Sequence, residues 1–285
     1  QKSDMKKTIY KVLVSFYQYV GLGKKFHPSH DTVLIIGGSS NELGIELCET
    51  FIEDYHTKVI NIDTIDSING KNARRSEKLY TFISCKDFSD IKCLEESMLY
   101  LQNLEIIPTV LINNMQEGIE STLLKEDKFL RLDEESLNEF EKIVRYNLQS
   151  VILITKFCLS NIFPKVQAEA QEKAKGFYIV NISSVLTLKP CKSGTHFITS
   201  KCGINSFHDG ITSELKLKDS NLNVKTLIAY LPSFESEARW KRLSPSISKH
   251  LVHCLLEGRY GDTILESKRS IGDILLITGF KSSFT

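Results

Sequence analysis

Residues 31–54 read DTVLIIGGSSNELGIELCETFIED, an apolar run that ends in two glycines and then spaces Leu43, Leu47 and Phe51 as a helix does. A strand buried on both faces reads as a continuous apolar run rather than an alternation. The glycines permit a tight reversal into the helix that follows. Buried strand, glycine turn and helix together open a βαβ unit, and the chain repeats that order. KVINID and KLYTFISC read as the second and third strands. The polar stretch between them, with Asn69-Gly70 and Arg74-Arg75, holds at most a short helix. IKCLEESMLYLQNL reads as a helix, IPTVLINN as a fourth strand, and residues 136–163 as a long helix ending near Pro164. GFYIVNISS is a fifth strand, residues 194–217 a second long helix, and NVKTLIAYLP a sixth strand. Strands alternating with helices of this length predict right-handed crossovers and an α/β fold, a doubly wound parallel sheet of the Rossmann type in a single domain. After it, WKRLSPSISKHLVHCLLEG reads as a loop and helix, DTILES as a seventh strand, and SIGDILLITGF as an apolar tail.

Bulk properties narrow the function classes. A chain of 285 residues fits one α/β domain, and 41% hydrophobic with 25% charged residues is the balance of a globular core with a charged surface. A net charge of +1 gives no long-range attraction to polyanions, so no nucleic-acid partner is expected. Seven cysteines stand singly, without a C-x-x-C, as reduced residues of an intracellular protein do. Asn181-Ile-Ser183 lies in an apolar strand and reads as structural rather than glycosylated.

Residues 1–30 form an N-terminal arm before the domain of residues 31–285, in which 235–285 supply a substrate loop and C-terminal region. IYKVLVSFYQYVGLG (9–23) carries Lys11 and is flanked by Lys2, Lys6, Lys7, Lys24 and Lys25. Two readings stand for it: an amphipathic arm packed on the domain, or a juxtamembrane segment following an anchor outside this chain.

Ligands of such sheets bind beyond the carboxyl ends of the strands. After the first strand, GGSSNELG offers backbone N–H groups and a helix N-terminus to a pyrophosphate. Asp63 ends the second strand, where an acid takes the adenosine ribose hydroxyls and repels a 2′-phosphate, which favours NAD over NADP.

These residues resemble the short-chain dehydrogenase/reductase superfamily from about Asp31 to Pro232. The family's glycine motif T-G-x-x-x-G-x-G falls on Gly37, Gly38, Ser39, Ser40, Asn41, Glu42, Leu43 and Gly44. Its N-N-A-G falls on Asn113, Asn114, Met115 and Gln116, its helix asparagine on Asn147, and its catalytic serine on Ser184. Its Y-x-x-x-K falls on Phe197 and Lys201, and its P-G on Pro232 and Ser233. Asp87, after the third strand, resembles the family's adenine-contacting acid. The stretch FITSKCGINSFHDGITSELK is closest in flavour to the membrane-anchored retinol dehydrogenase and 17β-hydroxysteroid dehydrogenase branch.

The resemblance implies an NAD(P)-linked oxidoreductase acting on an apolar alcohol or carbonyl of lipid, retinoid or steroid type. In the family a tyrosine moves the hydroxyl proton, and a lysine one turn away lowers its pKa and holds the nicotinamide ribose. The serine holds the substrate oxygen and the asparagine orders a relay water. Here Ser184, Lys201 and Asn147 remain, while Phe197 stands where the tyrosine would be and has no proton to give. Glu42 replaces the second motif glycine and sets a carboxylate beside the pyrophosphate, which weakens cofactor binding. Phe234-Glu235-Ser236-Glu237 replaces the small residues that hold the nicotinamide amide. The cofactor set is therefore Gly38, Ser39, Ser40, Gly44, Asp63, Asp87, Asn113, Lys201 and Pro232. The catalytic set is Ser184, Lys201, Asn147 and the Phe197 position.

Each of these also has a plainer reading: Ser184 as a strand-end serine, Lys201 as a solvated helix lysine, Asp63 as a turn acid, and Asn147 as a partner for a neighbouring carbonyl. His196 reads as a surface or capping histidine rather than a substitute acid. His27 with His30, and His250 with His253 and Cys254, read as packing, and no metal site is expected. Two functions follow. One is an oxidoreductase with weakened or lost catalysis. The other is a non-catalytic relative that senses a dinucleotide or serves as a scaffold. The resemblance also implies a homodimer through the two long helices. The branch implies a cytosol-facing, membrane-anchored location at the endoplasmic reticulum or a lipid droplet.

Overall fold

A computed structural model of the chain describes residues 25–68, 78–118, 134–169, 176–188, 194–217, 223–232 and 237–265. The apolar arm segment 9–23, the stretch with Asn69-Gly70 and Arg74-Arg75, Cys191, residues 233–236 and the tail from 266 lie outside the described residues.

The strands are β1 (Thr32–Ile36), β2 (Lys58–Asp63), β3 (Tyr80–Ser84), β4 (Val110–Asn113), β5 (Gly176–Ser184), β6 (Asn223–Leu231) and β7 (Gly261–Ile264). The helices are α1 (Glu42–Glu49), α2 (Ile91–Gln102), α3 (Glu134–Val144), α4 (Ser150–Phe157), α5 (Phe163–Glu169), α6 (Thr195–Leu217) and α7 (Glu237–Leu256). All seven strands pair in parallel, in the order β3-β2-β1-β4-β5-β6-β7. The order reverses between β1 and β4, where Ile36 sits beside Ile62 on one side and Asn113 on the other. That reversal opens a crevice at the strand ends, where doubly wound sheets hold ligands.

Alternation along β1 divides the core into two layers. Val33 and Ile35 join α1 and α7 through Leu43, Leu47, Leu251 and Leu255. Leu34 and Ile36 join α2, α4 and α6 through Leu94, Met98, Ile154 and Ile204. Each such fully buried side chain contributes about 1.5–3 kcal/mol.

Two helix boundaries differ from the sequence reading, and prolines explain both. The long helix continues past Pro164 to Glu169, because the turn Cys158–Ile162 widens and the Phe163 N–H reaches back to the Cys158 carbonyl. The missing N–H of Pro164 then falls in the first turn of α5, where none is needed. Helix α7 runs unbroken from Glu237 with Pro245 inside it. Beyond that proline, Ile247, Leu251, Val252 and Leu255 bury against the core, and tertiary packing overrides the local break. Cys254 is buried 3.9 Å from the Thr263 hydroxyl, and His253 pairs with Glu257. The His27 and His30 rings meet edge to face at 6.4 Å. Among the described residues, no helix is long and apolar enough to cross a membrane.

Candidate functional site

The glycine turn is locked by side chains of β2 and by its own Asn41. Gly37 has φ +77°, and a Cβ there would stand 2.9 Å from the Asn114 carbonyl oxygen. A Cβ on Gly44 would stand 2.3 Å from the Gly37 carbonyl oxygen, so α1 packs directly on the turn. The Gly38 N–H donates to Asn61 Oδ1 at 3.0 Å, and those of Ser39 and Ser40 donate to Asp63 Oδ2 at 2.7 and 2.8 Å. The Gly44 N–H donates to Asn41 Oδ1 at 3.0 Å, capping α1. Asp63 is fully buried, and its Oδ1 accepts from the Thr64 N–H at 2.7 Å. The carboxylate expected at the ribose is thus held by the turn in this structure. Backbone N–H groups surround the Asp63 carboxylate and draw it into the turn. Thr64, the next residue, lines the crevice. Glu42 is half-buried in the first turn of α1, where the helix dipole favours a carboxylate. It is not among the residues that line the crevice.

The crevice has a volume of about 340 Å³. Ser40 and Asn41 enter it from the turn after β1, and Lys86 and Asp87 follow β3. The loop after β4 contributes Asn114 through Glu117, and the helix contributes Lys142 and Tyr146. Asp87 Oδ1 accepts from the Ser89 N–H at 2.8 Å and the Ser89 hydroxyl at 2.7 Å. The Tyr146 ring meets Phe88 edge to face at 5.3 Å. Burial, then the charges of Asp63 and Glu117, push that phenol's pKa up. Asn114, rather than Asn113, lines the crevice. Its Nδ2 donates to the Gly37 carbonyl at 2.7 Å and to Asn41 Oδ1 at 3.1 Å. Asn113 instead turns inward, donating to Thr155 Oγ1 and Asn181 Oδ1, because β-strand alternation sends neighbouring side chains to opposite faces.

Lys201, Asn147 and Ser184 are held mainly by backbone groups. Lys201 is 1% exposed. Its Nζ donates to the Met115 carbonyl at 2.5 Å and the Ile182 carbonyl at 2.9 Å, and lies 5.5 Å from the centre of the Phe197 ring. Burial pushes the Lys201 amine down to about 7. Asn147 is fully buried in the wide turn Arg145–Gln149. Its Oδ1 accepts from the Glu117 N–H, and its Nδ2 donates to the Glu117 carbonyl and to Ser200 Oγ, at 2.8, 2.8 and 3.0 Å. Ser184 ends β5, nearly buried, and its Oγ accepts from the Leu186 N–H at 3.2 Å. Pro232 follows β6. His196 is corrected from a surface position: it is buried, with its ring 5.1 Å from that of Phe140.

A sequence model of the short chain dehydrogenase family matches residues 31–239. The chain belongs to that family. It is 24% identical over 234 residues to the 3-oxoacyl-[acyl-carrier-protein] reductase FabG of Chlamydia muridarum, covering 80% of this chain and 83% of that protein. Among solved structures it is similar to an NADH-dependent reductase A1-R′ complexed with NAD, with TM-score 0.62, 15% identity, and 83% and 95% of the two chains covered. It is also similar to a short-chain dehydrogenase from Streptomyces avermitilis, with TM-score 0.64, 15% identity, and 89% and 93% covered.

Within this short chain dehydrogenase fold the two ends of a dinucleotide meet different conditions. At one end the crevice presents two acids, Asp87 and Glu117, two lysines, Lys86 and Lys142, and the ring of Tyr146. At the other, the amine is committed to carbonyls and the ring carries no hydroxyl. Lys142 and Tyr146 are among the crevice residues that sequence reasoning missed, with Thr64, Lys86 and Glu117. The i, i+4 spacing of Lys142 and Tyr146 signalled a shared helix face, but nothing signalled which face, since the wide turn beginning at Arg145 shifts the register.

Proposed function

We propose that this chain is a nucleotide-binding short chain dehydrogenase relative in which NAD(P)-linked turnover of an apolar alcohol or carbonyl has been lost. The observation that carries the reading is Lys201, sealed under Phe197 with two of its protons given to the Met115 and Ile182 carbonyls. A bound nicotinamide supplies a hydride, and the chain must then move a proton to or from the substrate oxygen. Phe197 has none to move. Both amide protons of Asn147 are taken by Glu117 and Ser200, so the amide has no donor left for a relay water. Ser184 keeps a hydroxyl, which can hold a substrate oxygen. Losing the general acid removes about 10²–10⁴-fold of rate by itself.

The test is calorimetric titration of the purified chain with NADH and NADPH, followed by assays on retinoids, steroids and aliphatic aldehydes. Binding of at least one dinucleotide without turnover is expected. Turnover near an ordinary enzymatic rate, about 10 s⁻¹, would refute lost catalysis, and no binding at millimolar concentration would refute the nucleotide reading.

A further inference from the structure

We propose that this chain pairs with a second copy of itself through the groove between α2 and α4, with Glu95 of each copy set against Lys156 of the other. The inference is independent of what the crevice binds. It also uses a different face from the two long helices that the family resemblance implies.

The groove has a volume of about 400 Å³. Its floor is Leu94, Met98 and Ile154, all buried in the core. Its rims are uncovered. Five large hydrophobic side chains are exposed among the described residues, and three of them sit on α2: Ile91, Leu99 and Tyr100, at 46%, 57% and 57%. Ile91 and Leu99 line the groove, with Glu95 between them at four-residue steps along one rim. Leu153 and Phe157 repeat that step on the facing rim, with Lys156 beside them. An apolar groove with exposed apolar rims marks a contact surface.

The charges decide the occupant. Glu95 and Lys156 are both exposed, one on each rim, and among the described residues neither forms an ion pair within the chain. A partner of a single sign would be repelled by one of them. A second copy is repelled by neither. A two-fold axis lying in the face, midway between the two residues and perpendicular to the line joining them, brings each over its opposite in the other copy. Both pairs form at once, because such a contact repeats every interaction. The same rotation carries the α2 rim, with its exposed Leu99, onto the α4 rim of the other copy. Helix α2 spans only about 18 Å, so the contact belongs to the small, weak class, with a Kd of about 10 μM.

Sedimentation velocity on the full chain, at concentrations either side of about 10 μM, tests this. A monomer–dimer equilibrium is expected. Glu95→Lys puts two lysine pairs across the contact and Lys156→Glu two glutamate pairs, so each alone should weaken the dimer at least about tenfold. An equimolar mixture of the two variants restores both opposite pairs, and mixed dimers should form near the wild-type affinity. That recovery also shows that both variants are folded. Leu99→Ala, at an exposed position, should weaken the dimer about tenfold with thermal melting unchanged. A wild type that stays monomeric to about 1 mM overturns the inference. So does a dimer indifferent to all three substitutions, which places the contact on another face, the long helices included. A mixture that stays monomeric, with both variants melting as the wild type does, overturns the charge pairing.

Discussion

Lys201 is a cation without a carboxylate, held among backbone oxygens and an aromatic ring. Burial lowers its folded-state pKa to about 7 from 10.5, while the two accepting carbonyls favour the ammonium and oppose that shift. Between those two values the unfolded chain holds the extra proton, so this residue makes stability rise with pH, by at most about 1.4 kcal/mol per unit. The buried thiols of Cys48, Cys85 and Cys158, raised by burial, act in the opposite direction as pH passes their ordinary value of 9.0. The difference between wild type and Lys201→Met isolates the lysine, since the thiols are common to both. From pH 7 to 8.5 the wild-type urea midpoint should gain on that of the variant, by up to about 2 kcal/mol when converted to free energy. A constant difference across that window would mean that the carbonyls keep Lys201 protonated in the fold. The sequence placed Lys201, Phe197 and Asn147 in one region correctly. It did not reveal which atoms they bind, because the direction of the Met115 and Ile182 carbonyls is set by loop and strand geometry that leaves no side-chain pattern.

At the scale of elements, the stretch from Glu134 to Glu169 is a helix interrupted by two wide turns, at Arg145–Gln149 and Cys158–Ile162. Each inserts a residue into the 3.6-residue period, which is why apolar spacing found the helix but not its faces. The first wide turn carries Asn147, which ties the helix to the loop after β4 through both backbone groups of Glu117 and to α6 through Ser200. Asn147→Ala leaves the Glu117 groups without those partners, at a cost of about 2–4 kcal/mol. Urea unfolding should show that loss with helical circular dichroism retained, and amide exchange at Glu117 should accelerate. A cost below about 1 kcal/mol, with exchange unchanged, would show that the loop is held by its other bonds, those of Asn114 to Gly37 and Asn41 and of Lys201 to Met115.

At the scale of the molecule, the crevice assembles only when the sheet does. Its walls come from the turn after β1, from residues following β2, β3 and β4, and from the helix at Lys142 and Tyr146. The sequence indicated this meeting of strand ends through the strand–helix alternation alone, since parallel crossovers bring every carboxyl end to one edge. No local unit contains the site, so a ligand bound there stabilises the whole folded state against the unfolded chain. At a ligand concentration of 100 times Kd the gain is about 2.7 kcal/mol, and a domain of this size gains about 2–4 °C per kcal/mol. ADP at that concentration should therefore raise the Tm of the wild type by about 5–10 °C. Lys142→Ala removes one of the two lysines that line the crevice; if that lowers ADP affinity about tenfold, the same ADP concentration is only about 10 Kd and should give roughly half the shift. Differential scanning calorimetry distinguishes the outcomes. Equal shifts in the two proteins would place the phosphate away from Lys142. A shift in an early, partial transition, with the main one unmoved, would mean that ADP binds a locally formed segment rather than the crevice that the complete sheet creates.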